Sequence, residues 1–225
     1  MTVVAISQSN YIPWKGYFDL IRKADYFVIY DIVQYTKNDW RNRNKIVFPS
    51  GPKWLTVPIL RHSMSQSIKS TQIANQSWQQ KHWRSIEQNY RKAPFFSEYA
   101  ASLSSIYDKE WNSISSLNCC LIRLLCQLMD IDTPILDASD FSLSEDRNQR
   151  LLDICSHLNA DTYLSGSSAS SYLDLDLFAQ SNVRVYWMVY NYEKQYPQQS
   201  FPFVHEVSVL DLLFNTGPHW RNFLE

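Results

Sequence analysis

The segment 37–45 combines charged, amide and indole side chains in a way that suits a phosphorylated ligand. Arg41 and Arg43 are two residues apart, so on an extended chain their guanidinium groups point to the same side. With Lys37 nearby, they could bind a diphosphate through bidentate, charge-assisted hydrogen bonds. A diphosphate is the group that nucleotide-sugars carry, and the spacing therefore predicts a nucleotide-sugar as the small-molecule ligand.

The same charges could instead form a solvated loop in which they pair with Asp39. Trp40, Asn42 and Asn44 favour the ligand-binding interpretation. Indole and amide groups are poor choices for a solvated loop, but they suit stacking and directional hydrogen bonds to a base or a sugar.

A second polar cluster follows the first apolar run of the chain, residues 3–6. Gln8 and Asn10 are uncharged amides that could bind hydroxyl or amide groups of a ligand, or could hold the loop backbone. Aromatic side chains accompany them, and these could pack on a sugar ring or lie in the core; they are Tyr11, Trp14 and Tyr17.

Two residues are predicted to act as a catalytic base. Asp31 comes directly after the second apolar run, with Gln34 beside it as a ligand-binding group, and its carboxylate could accept the proton of an attacking amine. His82 is the other predicted base, although a histidine between Lys81 and Trp83 on a helix could also be a packed structural residue. The His, Cys, Asp and Glu residues have no metal-ligand spacing, and no motif specifies a cofactor.

A third predicted site segment runs through Ser165, Gly166 and Ser167. It opens a run of small polar residues after an apolar segment, and exposed backbone N–H groups there could bind an oxyanion. An ordinary turn from a strand to a helix is the alternative.

The elements that must position these residues follow an α/β order. A helix over 17–23 lies between predicted strands 3–6 and 26–30, which is typical of a βαβ unit with parallel strands. The carboxyl ends of the two strands then lie side by side, where open α/β sheets bind ligands. We therefore expect the polar clusters that follow the two strands to meet in one pocket.

The middle of the chain is predicted to be helical, and its last third returns to α/β. Residues 76–130 form a helical insert packed on the sheet, after a hairpin with Gly51 at its turn. Later strands are predicted over 161–165 and 183–189, with a single helix over 170–179 between them. The expected fold is a single α/β domain over residues 1–225, with a mostly parallel open sheet of Rossmann-like or nucleotidyltransferase-like type.

Composition excludes several classes of protein. Lys and Arg number 21 and Asp and Glu 22, and the net charge of -1 gives no general attraction to nucleic acid. No apolar run approaches the roughly 20 residues that span a membrane. We expect a cytoplasmic protein without membrane insertion, whose four cysteines are reduced. The amphipathic segment 208–215 could cap the sheet or form the contact of a homodimer.

Together, these motifs resemble the WbqC-like family over nearly the whole chain. The resembling segments are Gln8-Ser9-Asn10-Tyr11-Ile12-Pro13-Trp14-Lys15-Gly16-Tyr17-Phe18, Asp31-Ile32-Val33-Gln34-Tyr35, Trp40-Arg41-Asn42-Arg43-Asn44, Trp54-Leu55-Thr56-Val57-Pro58, Tyr163-Leu164-Ser165-Gly166 and Ser208-Val209-Leu210-Asp211-Leu212-Leu213-Phe214-Asn215. The resemblance implies a role in bacterial surface polysaccharide synthesis, especially O-antigen of lipopolysaccharide. It also implies a transferase that adds a glycyl or other acyl group to an amino sugar. Ser9 departs from the family pattern, which more often has proline there.

Two further hypotheses follow. The protein could be a non-catalytic nucleotide-sugar-binding partner of the polysaccharide machinery. It also resembles, more distantly, nucleotidyltransferases with a histidine-containing loop after the first strand, which would imply the use of ATP. Here that loop is Pro13-Trp14-Lys15-Gly16-Tyr17, with no histidine and one residue fewer between Pro and Gly.

Overall fold

The elements of the fold alternate as an α/β protein does, and they are seen in a computed structural model that describes residues 1–60, 63 and 65–224. The strands are β1 (Val3–Ser7), β2 (Tyr26–Ile29), β3 (Arg43–Phe48), β4 (Gly51–Thr56), β5 (Ile135–Asp137), β6 (Thr162–Gly166) and β7 (Arg184–Met188). The α-helices are α1 (Lys15–Arg22), α2 (Trp78–Tyr90), α3 (Phe96–Tyr107), α4 (Ile114–Leu128), α5 (Arg147–His157), α6 (Leu175–Gln180) and α7 (Val209–Thr216). Short 3₁₀ helices cover Ala138–Asp140, Ser167–Ser171 and Gly217–Phe223.

Five strands form one parallel sheet in the order β5-β2-β1-β6-β7. This confirms the predicted open parallel sheet and the parallel pairing of β1 with β2, in which Ser7 lies opposite Ile29. The chain moves from β1 through β2 to β5 in one direction, and then returns to β6 and β7 on the other side of β1. The strand order therefore reverses between β1 and β6, the place where such sheets bind ligands.

Both faces of the sheet are covered, because side chains alternate along each strand. Ala5 and Phe27 belong to a core cluster with residues of α1, α2, α3, α4 and α7. Val4 and Val28 point to the opposite face, in a second cluster with residues of α5 and α6. The predicted helices of the middle of the chain thus pack into the larger of the two cores.

The predicted hairpin forms a separate two-stranded sheet of β3 and β4. Gly51 has a φ of 100°, which a residue with a side chain rarely adopts. The turn therefore requires glycine at this position.

The structure differs from the sequence-based expectation at two elements. Strand β5 was not predicted, because its three residues, directly after Pro134, are too short to show alternation. The single helix expected over 170–179 is instead a 3₁₀ turn followed by α6, which begins where the Asp174 side chain accepts from the Leu177 N–H.

The helices are short compared with the thickness of a bilayer. The longest in the described part of the chain, α4, has 15 residues, against the roughly 20 that a membrane span requires. Across the described residues, no helix combines the length and the apolar character of a membrane-spanning segment.

Candidate functional site

A cavity of about 730 Å³ lies at the carboxyl ends of β1 and β6, at the point where the strand order reverses. Ligand sites of small molecules typically measure about 300–1,000 Å³. Its walls come from the loops after β1, β2 and β6 and from the first turn of α5. The fold therefore brings together segments that are more than 100 residues apart in the chain.

Ten of the predicted site residues line this cavity. They are Gln8, Asn10, Trp14, Tyr17, Gln34, Trp40, Arg41, Ser165, Gly166 and Ser167. The polar clusters after the first two strands thus meet, and the segment that ends β6 joins them.

The guanidinium group of Arg41 is held in place by both predicted amides. Its Nη2 donates to Gln8 Oε1 at 2.6 Å, and its Nη1 donates to the side-chain oxygen of Asn10. Asp39 lies 3.6 Å from the same group. Gln8 and Asn10 therefore orient a cation at the cavity wall, because their carbonyl oxygens are already occupied by Arg41.

Two aromatic side chains, one from the loop after β1 and one from helix α1, are fixed against the cavity. Trp14 packs edge-on against Tyr190, with 5.0 Å between ring centroids, and its ring occupies the space that a Cβ atom on Gly16 would need. The Tyr17 hydroxyl donates to the backbone oxygen of Gln8 at 3.0 Å. Gly16 is required here so that the indole can lie close to the helix backbone.

Two further arginines, on α5, line the cavity and were not among the predicted site residues. The guanidinium carbon of Arg147 lies 3.4 Å from the centroid of the Tyr172 ring. Arg150 donates to the backbone oxygens of Ser144 and Glu145 at 2.8 and 2.6 Å. The sequence did carry one indication of a role for these arginines. Both fall in the first turn of a helix, where the macrodipole disfavours positive charge.

Like the two arginines of α5, Tyr30 lines the cavity without having been predicted as a site residue; the sequence predicted it only as part of a strand. It is 8% exposed and lines the cavity beside Arg150. Apart from that neighbouring guanidinium, its hydroxyl finds no hydrogen-bond partner within the described residues. Burial raises the pKa of Tyr30, and the arginine opposes that rise. The Tyr30 hydroxyl is thus a buried neutral group beside Arg150.

The charge of the cavity wall has one sign. Its lining residues include Arg41, Arg147 and Arg150, and among the described residues that line it none is Asp or Glu. Cavities with low-dielectric walls focus such a field and attract ions of opposite charge. The site is therefore suited to an anion.

Gly166 leaves space in the cavity. A Cβ atom built on it meets no other atom within 4 Å, and its φ of -69° is open to any residue. The backbone therefore does not require glycine at this position, and a side chain there would begin in open space.

Asp31, predicted as a base, does not line the cavity. Its carboxylate is fully buried and accepts from the Ser9 N–H at 2.8 Å and from the hydroxyls of Ser9 and Ser115 at 2.6 Å each. These donors bind the carboxylate from two elements, the loop after β1 and helix α4. Asp31 joins those elements and is not positioned to take a proton from a ligand.

His82 and Tyr11 also lie outside the cavity, in the core of the larger cluster. The Tyr11 hydroxyl lies 2.8 Å from His82 Nδ1 and 3.0 Å from the Tyr107 hydroxyl. Burial lowers the pKa of His82 to about 4, while a backbone hydrogen bond at Thr56 opposes the fall. The packed structural role is thus the one that the structure supports for this histidine.

The rest of the segment 37–45 does not form the predicted clasp. The backbone turns between Asp39 and Asn42, so Arg41 and Arg43 do not share one extended strand. The Arg43 guanidinium lies 4.2 Å from the ring centroid of Trp54, and Lys37 is exposed outside the cavity.

The side chain of Asn42 is likewise used by the fold. It donates to the backbone oxygen of Val57 at 2.8 Å and accepts from the Tyr35 hydroxyl at 2.8 Å. It therefore ties the turn to the end of the hairpin instead of facing a ligand. As for metals, no group of three or more His, Cys, Asp or Glu side chains that could hold an ion occurs in the part of the chain that the structure describes.

Comparison with known proteins identifies the family. Residues 8–222 match the model of the WbqC-like protein family. The chain belongs to this family. The uncharacterized protein Rv1507c of Mycobacterium tuberculosis (strain ATCC 25618 / H37Rv) is 42% identical over 226 residues, which cover all of this chain and 98% of the relative. The WbqC-like match includes the three arginines of the cavity and the glycine at the end of β6.

Proposed function

We propose that the cavity binds the diphosphate of a nucleotide-sugar and that the protein transfers a glycyl or other acyl group to an amino group of that sugar. The observation that carries the binding half is the set of three arginines around one cavity without a lining carboxylate. The resemblance to the WbqC-like family supports the transferase half and its place in surface polysaccharide synthesis.

The arginines come from two separate elements, one from the loop after β2 and two from α5. A diphosphate offers several oxygens and so suits donors that come from more than one element. Arg147 stacks on Tyr172, and a stacked guanidinium keeps its N–H groups in its own plane, free to bind phosphate oxygens.

The transfer itself forms an amide. The amine nitrogen of the sugar attacks the carbonyl carbon of an activated acyl group, the bond from that carbon to the leaving group breaks, and the leaving group departs with the electron pair and takes up the proton that the amine loses. Arg41, already oriented by Gln8 and Asn10, is suited to stabilise the negative charge on the carbonyl oxygen.

A non-catalytic nucleotide-sugar-binding protein is the second candidate. One observation favours it: both residues predicted as bases, Asp31 and His82, are buried away from the cavity and bonded to other parts of the fold. Binding would then be retained without turnover.

Thermal unfolding against a ligand panel tests the binding half. The panel contains nucleotide-sugars, free nucleotides, acyl-CoAs and amino acids, and the proteins are the wild type, Arg147→Ala and the control Arg84→Ala. Arg84 is an exposed arginine on α2 outside the cavity. A ligand at 100 times its Kd stabilises by about 2.7 kcal/mol, and we expect this shift for a nucleotide-sugar with the wild type and the control, but not with Arg147→Ala.

Mass spectrometry of the same nucleotide-sugar after incubation with acyl donors tests the transfer half. An acylated product supports the transferase, and binding without product under every donor supports the non-catalytic partner. Stabilisation by ATP alone would contradict both and would favour a nucleotidyltransferase-like activity.

A further inference from the structure

A smaller chamber of about 230 Å³ opens beside the main cavity. Its lining residues are Asn10, Trp14, Trp40, Asn44 and Glu206. The first three also line the main cavity, so the two spaces meet at these side chains. The chamber therefore lies directly beside the main cavity.

Glu206 reaches the chamber because the backbone that follows it is anchored on two sides. The Ser208 N–H donates to the backbone oxygen of Lys45 in β3, and the Val209 N–H donates to that of Pro13, both at 2.8 Å. Trp14 and Ser208 also form an isolated β-bridge. These main-chain bonds fix the backbone beside Trp14, and Glu206, an exposed residue two positions before Ser208, lines the chamber.

The indole rings of Trp14 and Trp40, which line the chamber, each pack against another aromatic ring. The Trp40 ring packs on Trp54, with 5.2 Å between centroids, and Trp14 packs on Tyr190. Asn44 is occupied, because its amide nitrogen donates to the backbone oxygen of Ile12 at 2.9 Å. The chamber therefore offers two aromatic surfaces and one carboxylate.

The charge of this chamber is opposite to that of the main cavity. Glu206 is the one acidic or basic residue among the described residues that line it. Burial and the charge of Lys15 lower the pKa of the adjacent His205, while the charge of Glu206 opposes that fall. Aromatic faces and a carboxylate together suit a cation.

We infer that the chamber is a subsite for a protonated amine, with Glu206 as its counter-ion, on a ligand whose phosphate lies among the arginines. This inference rests on the proposed function, because it takes the main cavity as the phosphate site. It assigns the amine-bearing sugar to the chamber and the diphosphate to the main cavity.

Calorimetry with a matched pair of probes tests it. Glucosamine 1-phosphate and glucose 1-phosphate differ only in that the first has an amine where the second has a hydroxyl. Each is titrated into the wild type, Glu206→Gln, Arg147→Ala and the control Glu193→Gln. Glu193 is an exposed carboxylate in the same part of the chain. We expect the wild type and the control to prefer the amine by about three- to tenfold, the range for a partly exposed ion pair and cation–π contact.

The outcomes separate the two proposals. Glu206→Gln should lose the preference and bind glucose 1-phosphate as the wild type does, whereas Arg147→Ala should weaken both probes equally. An unchanged preference in Glu206→Gln, or none in the wild type, overturns the amine subsite and leaves the phosphate site standing. If neither probe nor inorganic pyrophosphate binds the wild type, the proposed function fails and the subsite fails with it.

Discussion

At the scale of single residues, the chain uses its most chemically suggestive side chains for the fold. Asp31 follows a buried strand, as a catalytic carboxylate would, but a buried carboxylate with three donors is a satisfied anion. The sequence around Asp31 does not reveal this, because Ser115 lies 84 positions further along the chain.

Replacing Asp31 should therefore lower the stability of the fold rather than remove a group that binds or reacts with a ligand. Asp31→Ala leaves a buried N–H and two hydroxyls without their acceptor, and we expect the free energy of unfolding to fall by about 3 kcal/mol. Chemical denaturation measures this loss. Ser115→Ala removes one of the three bonds and should cost about 1 kcal/mol. If Asp31→Ala unfolds like the wild type but no longer responds to ligand, Asp31 is a ligand-binding residue after all.

Gly166 gives the reverse case, a residue that the cavity uses and the fold does not need. Gly166→Val places a side chain in open space at an allowed φ, so the midpoint of thermal unfolding without ligand should stay within a few degrees of the wild type. The stabilisation by nucleotide-sugar should be lost, because the added methyl groups occupy the cavity. Gly51→Val is the contrasting variant. Because Gly51 has a φ of 100°, valine at this position should lower the midpoint of thermal unfolding even without ligand. A Gly166→Val protein that still binds would place the ligand elsewhere.

At the scale of elements, the sequence predicts what is local and periodic. The unit of β1, α1 and β2 could be predicted because two apolar runs flank one short amphipathic helix, and the site residues after both strands followed from it. Strand β5 has no such pattern. The arginines of α5 were not predicted as site residues, because an amphipathic helix ordinarily turns its polar residues to solvent. Their one unusual feature in the sequence is positive charge in the first turn of a helix, where the macrodipole disfavours it.

Helix α2 is joined to the loop after β1 through His82 and Tyr11, and this contact should make the protein sensitive to acid. The pKa of His82 is about 4 in the folded protein, below its ordinary 6.5. Between these values the unfolded chain takes up a proton that the folded protein does not, so stability is present above pH 6.5 and falls towards pH 4. The loss should reach about 3 kcal/mol.

The measurement is urea unfolding at pH 7.5, 5.5 and 4.5, compared between the wild type and His82→Leu. The variant loses one hydrogen bond at every pH, while Tyr11 keeps its bond to Tyr107. The part of the acid sensitivity that His82 supplies should disappear. An identical fall with pH in the two proteins would contradict the assignment.

At the scale of the whole molecule, the cavity joins two distant parts of the chain. The loop that carries Arg41 follows β2, whereas Arg147 and Arg150 come from the helix that leads into β6. With a net charge of -1, the protein as a whole does not attract anions. The attraction for phosphate that we propose arises only when folding places these arginines around one space.

A phosphate ligand should therefore slow local opening in both parts of the chain at once. In hydrogen exchange at short labelling times, which reports local openings, inorganic pyrophosphate should protect the segments 30–41 and 147–172. Helix α3, which does not line the cavity, should exchange as before. In Arg147→Ala, pyrophosphate should protect neither segment, although only one of them carries the substitution. The reason is that a single ligand contacting both segments is lost from both when its binding is weakened. Protection confined to one segment would mean that the arginines do not bind one ligand together.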